Sequence, residues 1–181
     1  MEWIWIAVVA LLVIWFIAAY NGLVTKRNRV DNAWGQVEVQ LKRRYDLIPN
    51  LVETVKGYAA HEQGTFEAVV KARNAAQAAS GPAEAAQADN ILTGALRQLF
   101  ALAEAYPQLR ASENFQQLQA DLSDTENKVA VSRQIYNDSV LTYNNAVQRV
   151  PSNIVASFTG FKTREFFDAP AAADEAPQVQ F

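Results

Sequence analysis

The chain has 181 residues, room for one modest domain, and half of them are apolar with a formal net charge of -3. So weak a charge excludes the basic or acidic bias expected of a nucleic-acid or polyanion binder, and no nucleic-acid partner is expected. The lack of cysteine removes disulfides, thiolate nucleophiles, cysteine-ligated zinc and iron-sulfur clusters together, and sparse glycine, proline and β-branched clusters beyond the N-terminus predict an all-α chain.

Residues 3–20, WIWIAVVALLVIWFIAAY, carry no charge. As a helix they reach about 27 Å, close to the thickness of a bilayer's hydrocarbon core. They predict a membrane anchor over residues 1–24, with Leu11 and Leu12 in its middle. Trp3, Trp5, Trp15 and Tyr20 lie toward its ends, where amphipathic rings favour the headgroup layer. A cleaved signal peptide fits less well, because Glu2 stands where a basic region belongs and no small-x-small cleavage site follows. Lys26, Arg27 and Arg29 follow the run and no Lys or Arg precedes it, which places the N-terminus outside and the body in the cytoplasm.

From residue 30 to 59, Val30, Trp34, Val37, Leu41, Tyr45, Ile48, Val52, Val55 and Ala59 recur in steps of three and four, as one helix face requires. Pro49 lies inside that pattern, lacks an N–H and clashes with the preceding turn, so a kink or a helix restart is expected between Asp46 and Asn50. The helical pattern resumes through Phe66, Val69, Val70, Arg73 and Ala76, until Ser80-Gly81-Pro82 ends it. Pro82 suits a first helical turn. It opens a helix with an apolar stripe of Ile91, Leu92, Ala95, Leu96, Leu99, Phe100, Ala103 and Tyr106, which Pro107 terminates.

The longest regular pattern comes last: Phe115, Leu118, Leu122, Thr125, Val129, Ser132, Tyr136, Ser139, Tyr143, Ala146 and Val150. Such a heptad seam predicts coiled-coil-like packing, with Trp34, Leu41 and Tyr45 as its counterparts on the first helix. Small hydroxyl residues in the seam permit close approach. Asn21, Asn28, Asn32 and Asn50 on the first helical region, and Tyr136-Asn137 and Tyr143-Asn144 repeated seven residues apart on the last, suggest an amide and phenol network that locks helix alignment. Pro151 stops the last helix. The aromatic stretch beyond it, with Phe158, Phe161, Phe166 and Phe167, reads first as a cap on the bundle and second as a membrane-surface contact. The helical body is drawn over residues 25–167, and residues 168–181, rich in alanine, proline and acid, read as a disordered tail.

Nothing in the chain carries recognisable catalytic chemistry. His61-Glu62 begins a zinc-protease helix motif, but the second histidine it needs falls on Thr65. Phosphate loops, dinucleotide fingerprints and nucleophile elbows do not occur, and Asp121, Asp124 and Glu126 read as a solvated helix face. No catalytic, cofactor-binding or metal-binding residue is assigned, and no cofactor is expected. Lys42, Arg43 and Arg44, with Lys26, Arg27 and Arg29, are contacts for anionic headgroups or acidic partner surfaces, or else a solvated face with local salt bridges.

The stretches YNGLVTKRNRVDNAWGQVEVQLKRRYDLIPNLVETVKGYAAHE, AEAYPQLRASENFQQLQADLSDTENKVAVSRQIYNDSVLTYNNAVQRVPSN and FTGFK together closely resemble the bacterial LemA family, over nearly the whole chain after the apolar run. The resemblance implies a single N-terminal transmembrane helix followed by an elongated antiparallel helical bundle, held at the bacterial inner membrane. Through a related magnetosome protein it also implies membrane shaping or organelle biogenesis. Two functions are carried forward. One is a non-enzymatic scaffold that forms a homo-oligomer at the lipid bilayer, and the other is an adaptor binding another membrane protein such as a protease or signalling receptor.

Overall fold

The computed structural model describes residues 2–167, and the tail expected at 168–181 lies outside the described residues. Among the described residues six helices follow one another: α1 (Glu2–Lys56), α2 (Gln63–Ala78), α3 (Pro82–Glu104), α4 (Pro107–Arg110), α5 (Glu113–Gln148) and α6 (Ser152–Thr159). No strand occurs among the described residues.

Helix α1 is one rod of 55 residues, about 80 Å long at 1.5 Å per residue. Its first part touches almost nothing: the apolar window near the N-terminus has none of its residues buried. So large an exposed apolar surface needs a non-aqueous environment. From Leu23 onward the same helix belongs to the packed body, so the boundary drawn at residue 24 falls inside a continuous element. The expected stripe is the buried one, with Val30, Val37, Leu41, Tyr45, Ile48, Val52, Val55 and Ala59 all in the core and Trp34 packed at its edge.

Helix α1 runs unbroken through Pro49, so of the two alternatives, a kink or a restart, the restart does not occur. Pro49 withholds the N–H that would bond to the carbonyl oxygen of Tyr45, and Arg73 of α2 fills the vacancy, its Nε donating to that oxygen at 2.9 Å. The real break falls later, at residues 57–62, where Gly57 ends the helix and turns hand over to α2.

Helices α2 and α3 form a hairpin against the far half of α1, joined through Gly81 at φ +83 and Pro82 at the first position of α3. The Ser80 N–H is satisfied by Glu84 Oε2 at 2.9 Å. Buried Ala72, Ala76, Ala85, Ala86 and Ala88 make the hairpin thin. Ile91, expected in the stripe of α3, lies outside it. Pro107 ends one helix and begins another, the single turn of α4.

Helix α5 returns antiparallel along α1: Arg44 lies near Glu126, Trp34 packs against Tyr136 at a tilt, and Leu23 shares a cluster with Val147. Its seam is buried at Phe115, Leu122, Thr125, Val129, Tyr136, Ser139 and Tyr143, with Leu118 partly covered. The hydroxyls are satisfied within the helix, Thr125 Oγ1 donating to Leu122 O and Ser139 Oγ to Ile135 O, each at 2.8 Å. Small polar residues therefore sit in the seam without an orphaned donor. Val150 leaves the pattern and is exposed.

Candidate membrane-proximal site

The tyrosine–asparagine pairs of α5 do not bridge helices as expected. They hold the non-helical segment 161–167, which follows α6 and runs back along the α1–α5 pair. Asn144 Nδ2 donates to Arg164 O at 2.9 Å and its Oδ1 accepts the Arg164 N–H at 2.8 Å. Asn137 does the same for Phe167, at 2.8 and 2.9 Å. Beside these clamps, Tyr143 donates to Lys162 O at 2.9 Å and Tyr136 to Glu165 O at 2.7 Å.

The geometry follows from two repeats. Seven helical residues rise about 10.5 Å, and three extended residues span about 10 Å. Each tyrosine–asparagine pair therefore meets the segment three residues further along, provided the segment is nearly fully extended. The contacts go to backbone atoms, so the helix supplies what a neighbouring strand would.

Side chains tie the segment to α1 as well. Phe167 is buried beside Trp34, the ring centroids 6.2 Å apart, while Trp34 lies 5.4 Å from Tyr136. Arg164 pairs with Asp31 at 2.9 Å. At the other end Phe161 meets Tyr20 edge-on at 5.7 Å, with the Arg27 guanidinium 5.2 Å from its ring. Burial pushes the Tyr136 phenol up to about 12, with Arg164 opposing and Glu165 and Asp31 adding; Tyr143 rises for the same leading reason.

Helix α6, unforeseen in the sequence, sits where α1 leaves its apolar run. Val155 and Ala156 are buried against Leu23, Ala19, Ala146 and Val147. Gly160 at φ +75 closes the helix, and Phe161 N–H donates to Ala156 O at 3.0 Å. Ile154 and Phe158 remain exposed. Of the aromatic stretch, then, Phe161, Phe166 and Phe167 cap the body and Phe158 does not.

Among the described residues, no segment covers the opposite flank of the α1–α5 pair. It presents Asn32, Gly35, Gln36, Val39 and Gln40 from α1 and Ser132, Ile135 and Ser139 from α5, lining two adjoining grooves. Val39 and Ile135 are exposed, and Gln40 Oε1 is buried without a hydrogen-bond partner.

The basic residues divide. Lys42, Arg43 and Arg29 are exposed, Lys26 and Arg27 half-buried. Arg44 cannot serve as a surface contact for lipid or partner: it is 3% exposed, with Nη1 2.8 Å from Asp89 Oδ1 and Nη2 3.1 Å from Thr93 Oγ1. Its position follows from helical geometry, since Arg44 lies on the buried face beside Leu41 and Tyr45 while Lys42 and Arg43 turn outward. The pair needs an acid on α3, a long-range coincidence no local pattern announces. Asp124 lies below the usual carboxylate range because Lys128 hydrogen-bonds it at 2.7 Å, with Arg43 a smaller influence; this acidic patch is a solvated face with an intrahelical ion pair.

At the end remote from the apolar run, Lys56, Gln63, Phe66, Glu67, Val70 and Lys71 line an open groove of about 680 Å³. Among the described residues no group of three or more His, Asp or Glu is placed to hold a metal ion.

A sequence model of the LemA family matches residues 33–181. The chain is 28% identical over 189 residues to magnetosome protein MamQ of Magnetospirillum gryphiswaldense, a match covering 88% of this chain and 70% of that one. Against magnetosome protein MamQ 2 of Paramagnetospirillum magneticum it is 28% identical over 181 residues, covering 86% and 66%. Against protein LemA of Metamycoplasma hominis it is 24% identical over 145 residues, covering 78% and 65%. The chain thus spans roughly two thirds of the length of these relatives.

Proposed function

This chain belongs to the LemA family, and from that premise we propose that it is a membrane-anchored, non-catalytic helical scaffold whose copies associate side by side at a bacterial membrane, in membrane organisation or remodelling. The anchor reading rests on the unburied apolar window of α1 and is consistent with relatives named as magnetosome proteins. In this reading the body lies on the cytoplasmic side, where Lys26, Arg27 and Arg29 flank the span.

The observation that carries self-association is the asymmetry of the α1–α5 pair. One flank is closed by residues 161–167, whereas the other leaves Val39 and Ile135 exposed beside the orphaned Gln40 Oε1. A second copy is the occupant that fits, because spans in one bilayer hold like faces at matched height and raise their effective concentration, and paired amides satisfy one another. The test is the mass of the full-length protein in mild detergent by light scattering. Assemblies of several copies support the scaffold, and a strictly monomeric protein overturns it.

The alternative, an adaptor for another membrane protein, draws on the remote groove, whose Lys56 and Lys71 stand beside Phe66 and Val70. Cross-linking that captured one stoichiometric foreign partner and no self-contacts would favour it.

A further inference from the structure

We infer that α6 is an interfacial helix whose Ile154 and Phe158 edge enters the headgroup–acyl boundary of the leaflet from which α1 emerges. The inference rests on the reading of residues 3–20 as a membrane span and adds a second, independent contact between the body and the bilayer.

Height fixes the occupant. Val155 and Ala156 are packed against Leu23 and Ala19, and Phe161 stacks edge-on with Tyr20. Ala19 and Tyr20 close the apolar run that Asn21 interrupts, so α6 lies at the level where the span passes from hydrocarbon to headgroups. A helix fixed there has lipid as its neighbour on every side that protein does not cover.

Its uncovered edge suits that neighbour. Ile154 is 49% exposed and Phe158 83%, and four residues apart they share one edge of α6, with Val150, 78% exposed, in the turn just before the helix. Water is a poor environment for such a row, and an amphipathic helix lying in the interface buries one. The surrounding charge agrees: Lys26, Arg27, Arg29, Arg149, Lys162 and Arg164 lie in the two stretches that meet here, against Asp31 and Glu165 alone. Asp31 is already engaged by Arg164. The excess of positive charge favours anionic headgroups.

The segment 161–167 makes the contact consequential. It begins directly after α6 and is clamped to α5 at Arg164 and Phe167. Seating α6 in the interface therefore fixes the azimuth of the whole rod about its span as well as its height. Copies held at one azimuth present the same flank to one another.

Because the chain contains no cysteine, single labels are unambiguous. Full-length variants Phe158→Cys, Ile154→Cys, Leu12→Cys and Glu104→Cys, each carrying a nitroxide, are reconstituted in vesicles of phosphatidylethanolamine and phosphatidylglycerol. Collisions with oxygen and with a polar nickel chelate then report depth. The expected result groups the labels at 154 and 158 with the one at 12, favouring oxygen, and sets the label at 104 apart in water. A lipid-phase label at 12 with an aqueous one at 158 overturns the inference and leaves the anchor standing. Aqueous labels at both positions overturn the anchor with it. Labels at 158 shielded from both reagents and broadened by spins on neighbouring chains would assign this edge to a second copy instead.

Discussion

Arg73 of α2 donates from Nε to the carbonyl oxygen of Tyr45 in α1 at 2.9 Å, and that carbonyl is the one Pro49 leaves without its helical donor. The ion and the proline are therefore coupled across two helices. Arg73→Ala is expected to cost about 1.5–3 kcal/mol, as for a lost bond to a charged donor. In a Pro49→Ala background residue 49 regains its N–H, and the same arginine substitution costs less. A double-mutant cycle by denaturant unfolding measures the coupling; equal costs in both backgrounds would show that the arginine does not substitute for the missing bond.

The asparagine clamps predict a local rather than global effect. Asn144→Asp keeps the size of the side chain but removes the donor to Arg164 O and sets a carboxylate against that carbonyl. The segment should loosen by about 1–3 kcal/mol. Amide exchange at Arg164 and Phe167, and trypsin cleavage after Lys162 and Arg164, should accelerate while α1 and α5 keep their protection. Unchanged exchange would mean that packing of Phe161 and Phe167 alone holds the segment.

What the sequence disclosed and what it hid divide along the range of the interactions. The stripe from Val30 to Ala59 and the seam from Phe115 to Tyr143 are periodic, and period alone assigns their buried faces. The carbonyl that Pro49 leaves free in α1 is met by Arg73, distant in sequence, and the buried Arg44 is met by Asp89. Neither partner is announced by a local signal. The tyrosine–asparagine repeat was visible, but its use was not, because its target is a segment with no periodicity of its own. Helix α6 is too short for a hydrophobic repeat to declare itself. The exposed residues of the proposed self-association flank, Val39 and Ile135, stand out only once the buried faces of α1 and α5 are known.

Alkaline pH should weaken the fold in a definite window. Burial pushes Tyr45 up to about 12, with Asp89 adding and Arg44 opposing, and Tyr136 likewise reaches about 12. Below the ordinary tyrosine value of 10.0 both states are neutral and the stability is fully present. As pH climbs from there toward about 12 the unfolded chain loses protons that the folded chain keeps, so stability falls, by on the order of 2 kcal/mol per tyrosine. Each phenylalanine variant should flatten its share of the slope in urea titrations across that range. The two differ at neutral pH: Tyr136→Phe loses the bond to Glu165 O and drops by about 1 kcal/mol, whereas Tyr45→Phe removes a buried hydroxyl without a partner and holds or gains stability.

The Arg44–Asp89 pair predicts a contrast between breaking and replacing a buried ion pair. Arg44→Ala leaves Asp89 without this guanidinium in a mostly apolar setting, at a cost of about 3–5 kcal/mol. Arg44→Met combined with Asp89→Leu removes both charges and should recover most of that loss. Thermal unfolding of the full-length protein in detergent checks it. A double variant no better than Arg44→Ala would show that Thr93 and the neighbouring polar groups need the charge as well.

The central claim is that a second copy covers the flank of the α1–α5 pair left open by residues 161–167. In a chain without native cysteine, Ile135→Cys on that flank and Glu67→Cys on α2 are cross-linked in intact membranes with a short bifunctional maleimide. The account predicts covalent dimers through position 135 and few through position 67. Efficient cross-linking at 67 with none at 135, or no dimers at either position, would contradict it.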